Sequence, residues 1–184
     1  MSKIFLTSDL HFDHDKDFIW KVRGFNSVQE MNEALVKNFN SVVKPEDTVY
    51  ILGDSMMGMD INSGLAYLRQ LNGIKYIAIG NHDTDARIEA YKNSKIFADI
   101  QFGYRIKVKG TTYILTHYPT VTANGDNLRV INLYGHTHQE NSNFFENRPY
   151  MYHVGVDSHK CFPVSMETII EDIKNFKGEN KNEK

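Results

Sequence analysis

The sequence predicts an α/β fold. Short apolar runs of strand length alternate with helical patterns in the first half of the chain, whereas the second half is rich in strand patterns. Such alternation favours βαβ units and a parallel sheet. At 184 residues the chain is long enough for one domain with a substantial core and too short for two. We therefore predict a single domain over 1–174, followed by a polar, frayed tail over 175–184.

The first half is predicted to hold two helices between three strands. The first helix runs over 27–43, because Ser27 and Glu30 form a capping box and apolar residues recur on one face. The second helix runs over 61–71 and ends before Gly73. The strands are "KIFLTS", "TVYILG" and "IKYIAIG".

The second half is predicted to hold a hairpin, two more strands and a last helix. "YRIKVKGTTYILTH" indicates a hairpin that turns near Lys109 and Gly110. The later strands are "RVINLYGH" and "YMYHVGVD", and the last helix begins near Ser165.

The composition excludes several kinds of protein. The formal net charge of -2, without a basic run, gives no electrostatic reason to expect a nucleic-acid-coating protein. The N-terminus lacks the apolar region of a signal peptide and no apolar run has membrane length, so we expect a cytoplasmic protein. Cys161 is the only cysteine, which excludes an internal disulfide and a thiolate metal cluster. We interpret it as a buried apolar residue, and any metal must use nitrogen and oxygen ligands.

Five predicted strands run into polar residues of the types that ligate metals. In an open α/β sheet the carboxyl ends of the strands converge on one crevice, so residues distant in sequence meet there. Gly53, Gly80 and Gly135 each precede one of these residues, where we expect the backbone to turn sharply out of the sheet. The polar residues are Asp9 and His11, Asp54, Asn81 to Asp83, His117, and His136 with His138.

Taken one at a time, these residues are ordinary caps, turns or structural histidines, and it is their joint placement that predicts a site. The pairs Asp9 with His11 and His136 with His138 are two positions apart, which in an extended segment directs both side chains to one side. Imidazole and carboxylate groups, with the amide oxygen of Asn81, suit manganese, iron, nickel or zinc. The set is too large for one tetrahedral ion and suits two ions about 3.5 to 4 Å apart that share a carboxylate.

In order along the chain, the segments "DLH", "GD", "GNHD", "TH" and "GHTH" resemble the motif series of the calcineurin-like metallophosphoesterase superfamily. The resemblance implies a two-sheet β-sandwich flanked by helices, which suits the strand-rich second half better than a doubly wound sheet. It also implies two divalent transition-metal ions, with manganese expected first. By position, one metal receives Asp9, His11 and His138, the other receives Asn81, His117 and His136, and Asp54 bridges them.

The same resemblance implies a mechanism. A hydroxide between the ions attacks phosphorus in line, and His82 faces the substrate and protonates the departing oxygen. Asp83 is expected to hold the His82 imidazole. His14 is a further candidate for substrate contact, with solvent exposure as the alternative. We interpret His153 and His159 as structural or exposed, and Arg129 as a solvated edge residue rather than a phosphate ligand.

The chain departs from the motif pattern at two places, without removing a ligand. Asp13 stands where similar small phosphoesterases tend to have glycine, and Ser55 to Met57 lack the usual further glycine or acid. The sequence thus predicts a phosphodiesterase or phosphatase for a small phosphate ester, with a nucleotide as one candidate. A non-catalytic metal-binding scaffold and a nuclease are the alternatives. We expect no membrane partner, and the oligomeric state is undetermined.

Overall fold

The computed structural model describes residues 2–122, 129–140 and 142–182, with the backbone alone for 177–182. Within this part of the chain there are nine strands. They are β1 (Ile4–Thr7), β2 (Thr48–Leu52), β3 (Ile74–Ala78), β4 (Phe97–Gln101), β5 (Gly103–Val108), β6 (Thr111–Thr116), β7 (Val130–Tyr134), β8 (Met151–His153) and β9 (Val164–Ser165).

Five α-helices lie in the same described ranges, together with a single 3₁₀ turn (Phe145–Asn147). The helices are α1 (Asp17–Trp20), α2 (Val28–Val42), α3 (Ile61–Gln70), α4 (Asp85–Ser94) and α5 (Met166–Asn182). None of these helices combines the length and the apolar character that a bilayer span requires.

The strands form two sheets. The first has the order β4-β3-β2-β1-β9, and all neighbouring strands are parallel except β9, which pairs antiparallel with β1. The second has the order β5-β6-β7-β8, in which β5 and β6 form the predicted hairpin and β6, β7 and β8 run parallel. The two-sheet architecture flanked by helices is confirmed.

Successive side chains on the strands of the first sheet point to opposite faces, so the sheet contributes to two hydrophobic cores. On β1, Phe5 packs among buried residues of α2 and α3, whereas Leu6 packs between the sheets. On β2, Ile51 and Leu52 divide in the same way. This first sheet is covered on both faces, which explains why its strands read as continuous apolar runs. Helix α5 closes the inter-sheet core with Ile169 and its neighbours.

The predicted helices near 27–43 and 61–71 are confirmed as α2 and α3, and the Ser27 hydroxyl caps α2 by accepting from the Glu30 amide at 3.1 Å. Helix α4 and strand β4 were not predicted from the sequence. Tyr91 is the one buried residue of α4, so the apolar periodicity of this helix is weak. The last helix continues beyond 175 to Asn182. Its continuation shows that the polar segment can extend the helix; fraying in solution stays a prediction.

Candidate metal centre and active site

The seven predicted metal ligands lie together where the carboxyl ends of the two sheets meet. Each follows a strand, as the sequence predicted. Asp9 and His11 follow β1, Asp54 follows β2, Asn81 follows β3, His117 follows β6, and His136 and His138 follow β7. Most are withdrawn from solvent; Asp9 has no exposed surface and His11, Asp54 and His117 expose at most 2%.

The backbone that presents these side chains is left-handed at many positions. Five of the seven residues have positive φ, between 47° and 71°: Asp9, His11, Asp54, His136 and His138. The predicted extended geometry of the i, i+2 pairs is therefore wrong. Their side chains converge because the chain coils tightly as it leaves each strand. Non-glycine residues in this region carry strain, which proteins concentrate at functional sites.

The three motif glycines are needed for different reasons. Gly53 has a φ of +87° and makes the predicted sharp turn. At Gly80 and Gly135, which do not have positive φ, the reason is space rather than the turn that the sequence analysis expected. A Cβ at Gly80 would lie 2.2 Å from Asp54 Oδ1, and one at Gly135 would lie 2.5 Å from Asp9 Oδ2. Glycine here lets the backbone of one loop lie directly against a carboxylate of another.

Asp9, His11 and His138, which we call the first ligand group, direct three acceptor atoms at one point. Asp9 Oδ1 lies 3.8 Å from His11 Nε2 and 3.9 Å from His138 Nε2. The other oxygen of Asp9 accepts from the Ser8 hydroxyl at 2.6 Å and from the His136 amide at 3.0 Å. Asp9 Oδ1 and His11 Nε2 are both buried without a hydrogen-bond partner. Two ligands bound to one ion at about 2.1 Å lie roughly 3 to 3.5 Å apart, so these three atoms would need to approach one another by only a few tenths of an ångström to bind one ion.

Asn81, His117 and His136, the second ligand group, lie beside Asp54. Asn81 Oδ1 is 2.7 Å from His117 Nε2 and 2.8 Å from His136 Nδ1. His117 Nδ1 donates to the Leu52 carbonyl at 2.8 Å, so the neutral ring presents a lone pair at Nε2. That lone pair faces the amide oxygen of Asn81 and, at 3.4 Å, the carboxylate of Asp54. At 2.7 Å the His117 nitrogen and the Asn81 oxygen are at hydrogen-bond distance, so a protonated Nε2 would join them in the absence of metal, and a bound cation would take the place of that proton.

Asp54 lies between the two groups. Its Oδ2 is 3.4 Å from His117 Nε2 and 3.9 Å from His11 Nε2, and its Oδ1 accepts from the His82 amide at 2.8 Å. One oxygen atom thus approaches an imidazole of each ligand group. This is the placement that a bridging carboxylate needs.

The electrostatics of the site favour bound cations. Burial raises the pKa of Asp9, so its ionised form is costly without a compensating positive charge. Burial, reinforced by the Arg23 guanidinium, holds the pKa of His11 well below its usual range and keeps that imidazole neutral. Burial opposes protonation of His117, but the hydrogen bond and charge of Asp54 outweigh it and raise the pKa, so a proton on this imidazole would take the place of a cation until metal binds. Buried carboxylates and lone pairs without donors fit divalent metal ions.

His82 and His14 border the same space. The His82 ring lies edge-on to the His11 ring, with centroids 5.7 Å apart, and the His14 ring centroid is 5.3 Å from that of His11. The His82 loop is held from behind by Arg87, which donates to the carbonyl oxygens of His82 and Met57. His82 is thereby kept near the candidate ligands, and His14 is half-buried at the wall of the site rather than in solvent.

The expected contact between Asp83 and the His82 imidazole is wrong. Among the described residues, the Asp83 carboxylate accepts from the amides of Gly80 and Asp54, at 2.8 and 3.1 Å, and from the Tyr91 hydroxyl at 2.7 Å. Its side chain points back into the protein because the loop buries it. Asp83 therefore ties the loops after β2 and β3 together and acts on the site through Asp54.

Comparison of the chain with models of protein families shows to which family it belongs. The model of calcineurin-like phosphoesterases matches residues 2–178, nearly the whole chain. The chain belongs to the calcineurin-like phosphoesterase family. It is accordingly a metal-dependent phosphoesterase, and its clustered aspartates and histidines are the residues that can bind divalent metal.

Individual proteins are similar to the phosphoesterase over most of its length. An uncharacterized protein of Methanocaldococcus jannaschii is 30% identical over 183 residues, covering 96% of this chain and 94% of the relative. The gene 66 protein of Mycobacterium phage L5 is 29% identical over 186 residues, covering 86% and 88%. The crystal structure of a protein of unknown function from Aquifex aeolicus superposes with a TM-score of 0.68 and 25% identity, covering 93% and 99%.

The phosphoesterase has a buried support for His138 that the sequence analysis missed. His138 Nδ1 donates to Asp157 Oδ2 at 2.7 Å, so its Nε2 lone pair faces Asp9. Arg23 in turn donates to both oxygens of Asp157, at 2.8 and 3.3 Å, and to the Asp9 carbonyl at 2.8 Å. Burial opposes ionisation of Asp157, but the His138 and Arg23 contacts hold its pKa well below its usual range. A carboxylate behind a ligating imidazole fixes its tautomer and orientation.

A signal for Asp157 was present in the sequence. It follows the apolar run "YMYHVGV", so the rule that found the other strand ends also applies here. The paired strand β8 is shorter than this run, because the chain leaves the sheet after His153 to approach Ser8 through Gly155. No comparable pattern marks Arg23, whose role depends wholly on tertiary contacts.

Asp157→Asn should weaken divalent-metal binding by about 10- to 100-fold, because His138 loses the charged partner that orients it. The measurement is metal affinity by competition with a chelating dye, on protein whose folding is verified by circular dichroism. Arg23 also loses its counter-charge, so we expect a lower melting temperature of the metal-free protein. Unchanged metal affinity in the folded mutant would contradict this role.

Other residues singled out by the sequence lie outside the site. Cys161 is buried and burial raises the pKa of its thiol, which agrees with an inert residue. His153 and His159 are structural, since Nδ1 of His153 contacts the Ser158 hydroxyl at 2.8 Å and His159 Nε2 donates to the His153 carbonyl at 2.9 Å. Arg129 is exposed just before β7.

The departure at position 13 has a structural account. Asp13 has a φ of 61°, the left-handed conformation that glycine adopts most easily and aspartate tolerates better than most residues. Its carboxylate accepts from the Asn32 side chain at 2.7 Å, and Asn32 Oδ1 accepts from the Asp13 amide at 3.2 Å. This reciprocal pair holds the loop against α2 without involving the ligands.

Proposed function

We propose that the protein is a binuclear metal-dependent phosphohydrolase that cleaves a small phosphate mono- or diester, with manganese as the working metal. The observation that supports this most directly is the convergence of lone pairs at two adjacent points. Asp9, His11 and His138 supply the first point, Asn81, His117 and His136 the second, and Asp54 Oδ2 approaches an imidazole of each. Nitrogen and oxygen donors in this mixture suit manganese, with iron, nickel and zinc as the alternatives.

The first ligand group would hold one ion, the second group the other, and Asp54 would be shared. When bound, the ions supply an activated water nucleophile at neutral pH and offset the charge of the phosphate oxygens. The chain supplies the rest. Asp157 and Leu52 fix the tautomers of His138 and His117, so that each Nε2 lone pair is directed into the site. This pre-set orientation limits the rearrangement needed to receive ligand and substrate.

His82 is proposed to donate a proton to the departing oxygen of the substrate. Its ring borders the cavity beside His11 and His138, and its backbone amide is fixed by Asp54 Oδ1. An imidazole is suited to this task because its ordinary pKa lies near neutral pH. The same loop thus contains a ligand, Asn81, and the proton donor next to it.

The cavity beside the first ligand group has a volume of about 340 Å³. This volume lies within the range of small-ligand sites. It supports a small ester, of which a nucleotide is one candidate, as the substrate. The net charge of -2 gives no general attraction for a nucleic acid, so a nuclease is less well supported. A scaffold without turnover is disfavoured, since both His82 and the ligands are in place.

Metal stoichiometry tests this proposal. Chelation should abolish hydrolysis of a chromogenic phosphodiester and of a phosphomonoester, and manganese should restore it. Elemental analysis of the reconstituted protein should approach two manganese ions per chain. Saturation at one ion with full activity would refute the binuclear site while leaving metal dependence intact.

A further inference from the structure

One wall of the cavity is apolar although it is open to solvent. Phe18, Ile19 and Val22 line this wall. Ile19 is buried in the core, whereas Phe18 is 67% exposed and Val22 is 58% exposed. Large apolar side chains grouped at the mouth of a cavity commonly mark a ligand contact. This wall is therefore a candidate part of the substrate site.

Aromatic rings connect the wall to the ligands. The His14 ring lies 5.3 Å from the His11 ring, and the Phe18 ring lies 5.6 Å from the His14 ring in an edge-on arrangement. His82 contacts the same His11 ring and lines the same cavity. Phe18 consequently shares the cavity with the residue proposed to protonate the leaving oxygen.

The wall is held in place despite the shortness of α1. Ile19 anchors it in the core, and the Ile19 carbonyl accepts from the Arg23 amide at 3.2 Å. The Arg23 side chain is itself fixed by Asp157 and by the carbonyls of Asp9 and Leu10. Phe18 and Val22 therefore stand on a backbone that is tied to the metal ligands, which sets their distance from the reacting phosphate.

The other side of the cavity is polar. Its lining includes the carboxylates of Glu140 and Asp157 and the imidazoles of His82 and His138. A chemical group that contacts both the apolar wall and these polar residues would need an apolar face and a polar edge. Aromatic rings with heteroatoms or an attached oxygen have this character, and their faces gain from contact with phenylalanine.

We propose that Phe18, with Val22 beside it, binds the aromatic ring of the substrate's leaving group and so selects phosphate esters of arylmethyl alcohols or nucleosides over aliphatic ones. This inference rests on the proposed function. With phosphorus at the ligands and the leaving oxygen at His82, the organic group on that oxygen extends toward Phe18. An arylmethyl alcohol and a nucleoside both contain a flat ring. The two are distinguished by testing a benzyl ester and a thymidine ester separately.

The test compares kcat/KM for matched esters with the manganese-loaded protein. Benzyl phosphate is paired with cyclohexylmethyl phosphate, and thymidine 5′-phosphate with ribose 5-phosphate; the methyl diesters are used in parallel. The parent should prefer the ester with the aromatic ring, and Phe18→Ala should lower kcat/KM for that ester by about two- to tenfold, mainly through KM. Phe18→Trp should keep the preference and Phe18→Leu should lose it.

Phe102→Ala is the matched control, because Phe102 is 82% exposed and is not among the residues lining the cavity. It should leave all rates unchanged. A preference for benzyl alone or for thymidine alone assigns the ring to an aryl group or to a nucleobase. An absence of preference in the parent, or its persistence in Phe18→Ala, overturns the inference.

Two further outcomes distinguish failure of the proposed function from failure of the role assigned to Phe18. If no ester of either series is hydrolysed, the proposed function fails rather than the assignment of Phe18. If Phe18→Ala loses activity equally on all esters and changes the oligomeric state in size-exclusion chromatography, Phe18 belongs to a subunit interface and the inference is overturned.

Discussion

Asp54→Asn is expected to release bound metal and to lower phosphoesterase activity by several orders of magnitude. The substitution keeps the shape, so the amide oxygen can still accept from the His82 backbone at the position of Oδ1. At the position of Oδ2, however, an NH₂ group would point its hydrogens at His117 Nε2 and His11 Nε2. Donors would then occupy the point where a cation is needed, and one negative charge would be lost from the site.

Metal content by elemental analysis and turnover of a phosphodiester are the two measurements. Asp47→Asn is a matched control. Asp47 is also a buried carboxylate, but it accepts from the amides of Lys3 and Lys44 at the opposite ends of the strands. The Asp47→Asn protein should be less stable than the parent, because the amide NH₂ would face one of these backbone donors, but its metal content and turnover should be unchanged. An Asp54→Asn protein with both metals and near-normal turnover would show that another group bridges.

His82→Ala is expected to lower activity by about 10² to 10⁴ on esters with poor leaving groups and much less on nitrophenyl esters. A nitrophenolate departs readily without a proton, whereas an alkyl or ribose alkoxide does not. Metal content should be unchanged, because His82 lies beside the ligands without contributing to the two groups of candidate ligand atoms.

The measurement is turnover of mutant and parent over esters of graded leaving-group pKa, under conditions in which the chemical step limits the rate. Insensitivity to added viscogen verifies that condition. An equal loss on every ester would mean that His82 positions the phosphate instead of protonating the leaving group. Loss of metal would place His82 among the ligands.

The helices and strands could be predicted from the sequence where an element is buried on one face or on both. Helix α2 shows its buried face as a regular apolar spacing, and Met31, Leu35 and Phe39 do lie in the core. The strands of the first sheet are covered on both faces and therefore appear as apolar runs. By contrast, α4 buries little beyond Tyr91, so its sequence lacks the spacing that reveals a helix.

The sequence alone predicted which residues lie together at the candidate site. Parallel strands deliver the residues after their carboxyl ends to one edge, so the ligand types at those positions could be grouped without coordinates. Asp157 could have been added by the same reasoning, since it also follows an apolar run. The family model matches residues 2–178, a range that includes all of these positions.

Only the tertiary structure decided how these residues are oriented and what supports them. Side-chain direction depends on loop backbone, and the left-handed φ of Asp9, Asp54 and His136 results from contacts between loops distant in sequence. For the same reason Asp83 faces Tyr91 rather than His82. Arg23 joins Asp157 across 134 positions of sequence, and no local pattern encodes a contact of that range. Parallel strands bring the candidate ligands to one edge of the sheet, whereas packing between the loops sets the direction of each side chain.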